Sequence, residues 1–127
     1  MNAMRLGGSV LLLAVTAACH DGHGGFGDGP GYELLTVPYD VLRPDGQHAQ
    51  GERVVRYNRI SGETWLNDTA NALRRIEDSE AIPASRYQVT LTVTSNGHVL
   101  VDRIDRKSGA AWYMDSENIW RRYTQPK

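Results

Sequence analysis

Residues 54–76 read VVRYNRISGETWLNDTANALRRI, and residues 101–123 read VDRIDRKSGAAWYMDSENIWRRY. The two stretches align without a gap at a constant spacing of 47 residues. Ten of the 23 aligned pairs are identical: Val54/Val101, Arg56/Arg103, Arg59/Arg106, Ser61/Ser108, Gly62/Gly109, Trp65/Trp112, Asp68/Asp115, Asn71/Asn118, Arg74/Arg121 and Arg75/Arg122. Self-similarity of this kind marks one structural unit used twice.

The centre of each copy, residues 58–62 (NRISG) and 105–109 (DRKSG), fits a hairpin with a four-residue loop. An Asn or Asp side chain there accepts hydrogen bonds from backbone N–H groups two or three residues on. Gly62 and Gly109 stand where the chain must take a positive φ to re-enter the sheet. The flanking β-branched and aromatic residues favour strands. In this register Asn58 faces Glu63, Tyr57 faces Thr64, Arg56 faces Trp65, and Arg103 faces Trp112. A cross-strand Arg–Trp pair gains ~0.5–1 kcal/mol of cation–π attraction at an exposed site. The competing reading is an Arg stem covering a Trp edge.

Working outward, residues 32–37 (YELLTV) resemble residues 87–93 (YQVTLTV), with a longer loop over 44–51 in the first copy. Residues 95–98 (SNGH) signal a tight turn. Residues 69–77 admit a helix starting at Asp68, with Ala70, Leu73 and Ile76 on one face. The matching stretch 119–123 (IWRRY) is aromatic and β-branched, so the pattern predicts strands in both copies and keeps the helix as the alternative. The expected strands are 32–42, 52–58, 63–67, 72–77, 86–95, 98–105, 110–114 and 118–124. The fold class is therefore all-β: two tandem four-stranded antiparallel meanders, repeats 32–77 and 86–124, packed as a small sandwich or barrel. Val54 and Trp65 share one face, and Val55, Tyr57 and Leu66 the other. The pattern does not say which is buried.

The first residues carry a different kind of signal. Arg5 is the only charge in residues 1–18, and an apolar run VLLLAV (10–15) precedes Thr16, Ala17 and Ala18. The run is far shorter than the ~20 residues a membrane-spanning helix needs. The next residue, Cys19, is the one Cys in the chain. Residues 15–19 (VTAAC) resemble the lipobox of bacterial lipoproteins, with Thr16 where Leu is commonest. The resemblance implies a signal peptide over 1–18, cleavage before Cys19, and palmitate-type acylation of Cys19 as a membrane anchor. Each buried CH₂ of such a chain is worth ~0.8 kcal/mol. In that family the residue after the Cys directs sorting. His20 in place of Asp implies the outer membrane facing the periplasm rather than the inner membrane. Residues 20–31 (HDGHGGFGDGPG) are half glycine, which reads as a flexible tether from the acylated Cys at 19 to residue 31. His20, Asp21 and His23 read as solvated linker rather than as a metal tract.

Residues 58–65 and 105–112 share the pattern D/N-x-x-S-G-x-x-W. This resembles the docking turn in the blades of pyrroloquinoline quinone-type β-propellers, over those eight residues of each copy. It also resembles small uncharacterised bacterial envelope proteins with D/N-x-x-[ST]-G-x-x-W β-hairpin repeats. The first likeness implies shared turn mechanics and the second implies no chemistry.

The chain has 127 residues, 14 Lys+Arg against 15 Asp+Glu, and 40% apolar residues. That is one domain's length. The balanced charge gives no basic footprint for nucleic acid, and one Cys excludes a disulfide framework within the chain. No nucleophile-elbow, zinc-protease or P-loop motif is present, no G-x-G-x-x-G stands in a strand-to-helix context, and nothing calls for a cofactor or metal. His48 and His98 read as solvated loop residues. Asp68 and Asp115 recur at matched positions, which turn capping explains more simply than a pair of catalytic carboxylates. Trp65, Trp112 and Trp120 are core residues or part of an exposed binding surface together with Arg56, Arg103, Arg75 and Arg122. On strands, adjacent Arg residues point to opposite faces, so Arg74–Arg75 and Arg121–Arg122 give one Arg per face.

Three functions follow, in descending order of support. The first is a lipid-anchored, non-catalytic binding or assembly module of the envelope with a protein partner. The second is an inhibitor of a lytic enzyme, by likeness in size and anchor to lysozyme-inhibitor-type β-barrel lipoproteins. The third is an enzyme built on Asp68 and Asp115 with the repeated Arg residues. A domain of this length buries ~60–70% of its unfolded surface, so a stable monomer is expected once it is cut from its anchor.

Overall fold

The structure is a computed structural model in which residues 31–126 are described. Cys19, the leader and the tether up to residue 30 lie outside the described residues. Nine strands follow in order: β1 (Tyr32–Leu42), β2 (His48–Asn58), β3 (Thr64–Asn67), β4 (Leu73–Arg75), β5 (Glu77–Asp78), β6 (Tyr87–Val93), β7 (Val99–Asp105), β8 (Ala111–Met114) and β9 (Ile119–Arg122). The first sheet has the order β1-β2-β3-β4, the second β5-β9-β8-β7-β6. The chain is all-β, and its two sheets do not close into a barrel.

The hairpin mechanics are those the sequence dictates. Asn58 Oδ1 accepts the N–H groups of Ile60 and Ser61, and Asp105 Oδ1 those of Lys107 and Ser108. Gly62 and Gly109 take φ of 79° and 82°. The backbone N–H of Asn58 donates to the Glu63 carbonyl, and Arg56 and Arg103 pair with Trp65 and Trp112.

Two expectations change, and one alternative falls. The strand expected over 72–77 is present as β4, and the helix kept as the alternative over 69–77 is absent. Asp68 Oδ1 binds the N–H groups of Ala70 and Ala72, and Asn71 turns left-handed at φ 62°, so the chain doubles back into β4. The first copy's loop is short, because residues 48–51 extend β2. Gly51 fits there since Tyr39, its partner across the ladder, lies over its backbone: an added Cβ would meet the Tyr39 hydroxyl at 2.6 Å. His48 is therefore a strand residue, still exposed, with Nδ1 2.6 Å from Asp40 Oδ1. Finally, residues 77–78 of the linker form β5, which pairs in parallel with β9. The second sheet is thus five-stranded and mixed.

Each sheet has a front, the face carrying the paired Arg and Trp, and a back. The buried core draws on both in an unequal way. From the first sheet come back residues Val55, Tyr57, Leu66 and Ile76. From the second come front residues Tyr87, Val89, Val101, Trp112 and Trp120. The two repeats therefore bury opposite faces, and the front of the second sheet sits on the back of the first.

Candidate functional site

Arg103 is 1% exposed, yet it is a cation in an apolar core. Its guanidinium lies 4.5 Å from the ring centres of both Trp112 and Trp120, between cross-strand neighbours. Nη2 donates to Asp78 Oδ1 at 2.6 Å, and Nη1 to the Gly62 carbonyl at 3.0 Å. Asp78 comes from β5, so the added edge strand supplies the counter-charge. One carboxylate, one carbonyl and two ring faces offset the charge of this buried cation and engage both of its terminal nitrogens, while its Nε has no hydrogen-bond partner. This arrangement ties the two sheets together, since Gly62 belongs to the first copy's turn.

Of the seven residues read as a candidate binding surface, Trp112, Trp120 and Arg103 are core, because the first sheet's back covers them. Arg122 is at the margin, bonded to Glu80 at 3.0 Å and lying 5.2 Å over Trp112. Arg56, Trp65 and Arg75 remain together on the front of the first sheet.

That front is open. Arg56 lies 4.5 Å from the Trp65 ring centre and 5.7 Å from Tyr32. Tyr32 matches Tyr87, and Leu73 stands where the second copy has Trp120. Tyr32 is 56% exposed and Leu34, opposite Arg56, is 63% exposed. Leu73 is also exposed, and Arg75 makes a loose 3.7 Å pair with Glu63. Among the described residues no acceptor corresponding to Asp78 or to the Gly62 carbonyl stands over Arg56, and its buried Nε, like that of Arg103, has no hydrogen-bond partner.

Asp68 and Asp115 are turn residues. Each accepts two backbone N–H groups and one Arg side chain: Arg74 at 2.7 Å, Arg121 at 2.8 Å. The Arg hydrogen bond, with the backbone donors, holds both carboxyls below the ordinary range. Burial pushes the Asp105 carboxyl up, but hydrogen bonds from Ser85 and from the N–H groups of Lys107 and Ser108 outweigh it, and its value is lowered. These carboxylates are acceptors already engaged, 47 residues apart in sequence and in separate turns. His98 is an exposed loop residue as expected. Among the described residues no group of three or more His, Cys, Asp or Glu is placed to hold a metal. Asn71 and Asn118, both left-handed, were visible as an identical pair but gave no reason for their identity until the turn was seen.

No family model, curated protein or solved structure matches the chain.

Proposed function

We propose that the chain is a lipid-anchored, non-catalytic binding module of the bacterial envelope, held at Cys19 and facing the periplasm from the outer membrane. It docks a partner on the front of its first sheet. One observation carries the docking: Tyr32, Leu34, Trp65 and Leu73 form a contiguous aromatic and aliphatic face around Arg56, whose counterpart in the second sheet is buried. Aromatic residues and Arg are the types that dominate binding energy at interfaces. The anchor rests on the lipobox-like residues 15–19 and on Cys19 as the single Cys.

Two experiments test it. Cells expressing the tagged chain and fed labelled palmitate should label it, and Cys19→Ala should lose the label. An absence of label on the parent chain refutes the anchor. In-cell crosslinking at native level should capture one dominant envelope protein, and Leu34→Arg should remove that product. Recovery of lipid or glycan with no protein would refute the protein partner. At micromolar concentration the domain released from its anchor should sediment as a monomer.

A further inference from the structure

Exposed large apolar side chains are not scattered over this domain. Tyr32, Leu34, Leu42 and Leu73 lie on the front of the first sheet. Leu100, Ile104, Tyr113 and Tyr123 lie on the back of the second. Ile60, in a turn, is the one other exposed large apolar residue among those described. The two outer walls of the domain are thus a front and a back. A front seated on a back is also the contact inside the domain.

We infer that the partner of the open front is a second copy of this chain, which docks the back of its second sheet there. The contact between copies repeats the internal one. This rests on reading the open front as a docking surface, and it names the occupant.

The internal contact supplies the template. An added Cβ on Gly62 would meet Ile82 at 2.8 Å and Tyr87 at 3.1 Å, so the second sheet sits directly on that turn. Gly109, its repeat partner, has nothing within 4 Å. An open cavity of about 580 Å³ lies beside Gly109, lined in part by Ala110, Ala111 and Tyr123. Tyr87 corresponds to Tyr32, so Tyr32 of one copy would fill the place beside Gly109 of the next. Arg103 donates to the Gly62 carbonyl, so Arg56 would donate to the Gly109 carbonyl. The 47-residue spacing carries Asp78 to Gln125, in the exposed segment after β9. The Gln125 side-chain carbonyl would then face Arg56 as Asp78 faces Arg103. Such a contact joins different surfaces of the two copies, so it builds rings or open chains rather than closed dimers.

Anchoring makes a weak contact sufficient. Confinement raises effective concentration to the mM range, so a contact too weak to hold dilute copies together still assembles on a membrane.

The test uses the chain as purified from cells, in sedimentation velocity up to ~1 mM. The parent should pass from monomer to species larger than dimer. Leu34→Arg on the front and Ile104→Arg on the back should each abolish this. Both side chains are exposed, so neither change disturbs the core. An equimolar mixture of the two variants keeps one intact front and one intact back, and should give a 1:1 dimer and nothing larger. Gln125→Asp should tighten parent assembly about tenfold. A parent monomeric at ~1 mM, or variants that fail to pair when mixed, would overturn the inference. The docking reading is judged separately by in-cell crosslinking: a different captured protein leaves it standing and sinks self-assembly, and no captured protein sinks both.

Discussion

The front of the second sheet and the front of the first begin from the same residues and end in opposite surroundings. Arg103 and Trp112 lie at the centre of the core, whereas Arg56 and Trp65 form an outside wall. Arg and Trp were kept although their surroundings changed, whereas several other positions diverged with theirs. On the back, Val55 is matched by Asp102, Leu66 by Tyr113, and Ile76 by Tyr123, as a covered face became an uncovered one. On the front, Leu73 is matched by Trp120, as an uncovered face became a covered one. The identical positions serve turns and cross-strand pairs, which work the same way on either face. Duplication therefore conserved local geometry and let burial write the remaining differences.

The largest test of this contrast is the paired removal of the cations. Arg103→Ala strands Asp78 and empties the space between two indoles, and should cost about 3–5 kcal/mol in denaturant unfolding. Arg56→Ala should cost about 1 kcal/mol or less, the scale of an exposed cation–π contact. Equal losses would show that the two fronts are energetically alike. Trp120→Ala should likewise cost about 3–5 kcal/mol, while Leu73→Ala at the same repeat position should stay under about 1 kcal/mol.

The turn glycines sharpen the comparison. Gly62→Ala and Gly109→Ala each force a side chain to a positive φ, at about 1 kcal/mol. Gly62→Ala adds about 1–3 kcal/mol, because Ile82 and Tyr87 must give way. If thermal melts show the two variants equally destabilised, the second sheet does not rest on that turn.

Titration gives the smaller effects. Burial, then the hydrogen bond to Glu33, pushes Tyr57 from 10.0 up to about 12. Its neutral form is the one the fold favours, so this contribution is complete below pH 10 and fades as pH rises toward about 12. Tyr57→Phe should flatten that alkaline limb in pH-dependent melts. Ile104, its exposed counterpart, has no titrating group to contribute. Asp68 and Asp115 act in the other direction and alike in both copies. Their lowered values place the stabilisation above the ordinary 3.8, and it is lost as pH falls below that. Asp68→Asn and Asp115→Asn should each blunt acid unfolding to a similar, small extent. A clear difference between them would mean the turns are not equivalent.

The turns and strand pairings were legible because their causes are local: an Asx oxygen, a glycine at φ > 0, an Arg opposite a Trp. The choice of buried face was not. Val54 and Trp65 on one side, and Val55, Tyr57 and Leu66 on the other, are both apolar enough to cover, and the answer depends on how one sheet stacks on another. β5 was missed because two residues, Glu77 and Asp78, carry no periodicity, and their partner Trp120 is far along the chain. Trp112 and Trp120 stood among candidate surface residues for the same reason. The open patch around Arg56 was visible as residue types and became a candidate site when its covered twin was seen.

β5 also orders events in time. The first sheet has all its strands once Arg75 has been made. Glu77 and Asp78 follow at once, but their partners Ile119 and Trp120 come near the end of the chain. Until β6 to β8 have followed, the first sheet's back has no sheet to pack against, and Asp78 lacks its cation until β7 brings Arg103. The last strand to emerge therefore completes the sheet, engages the edge strand and places Trp120 over the buried cation, so the domain becomes one cooperative unit late and in one step.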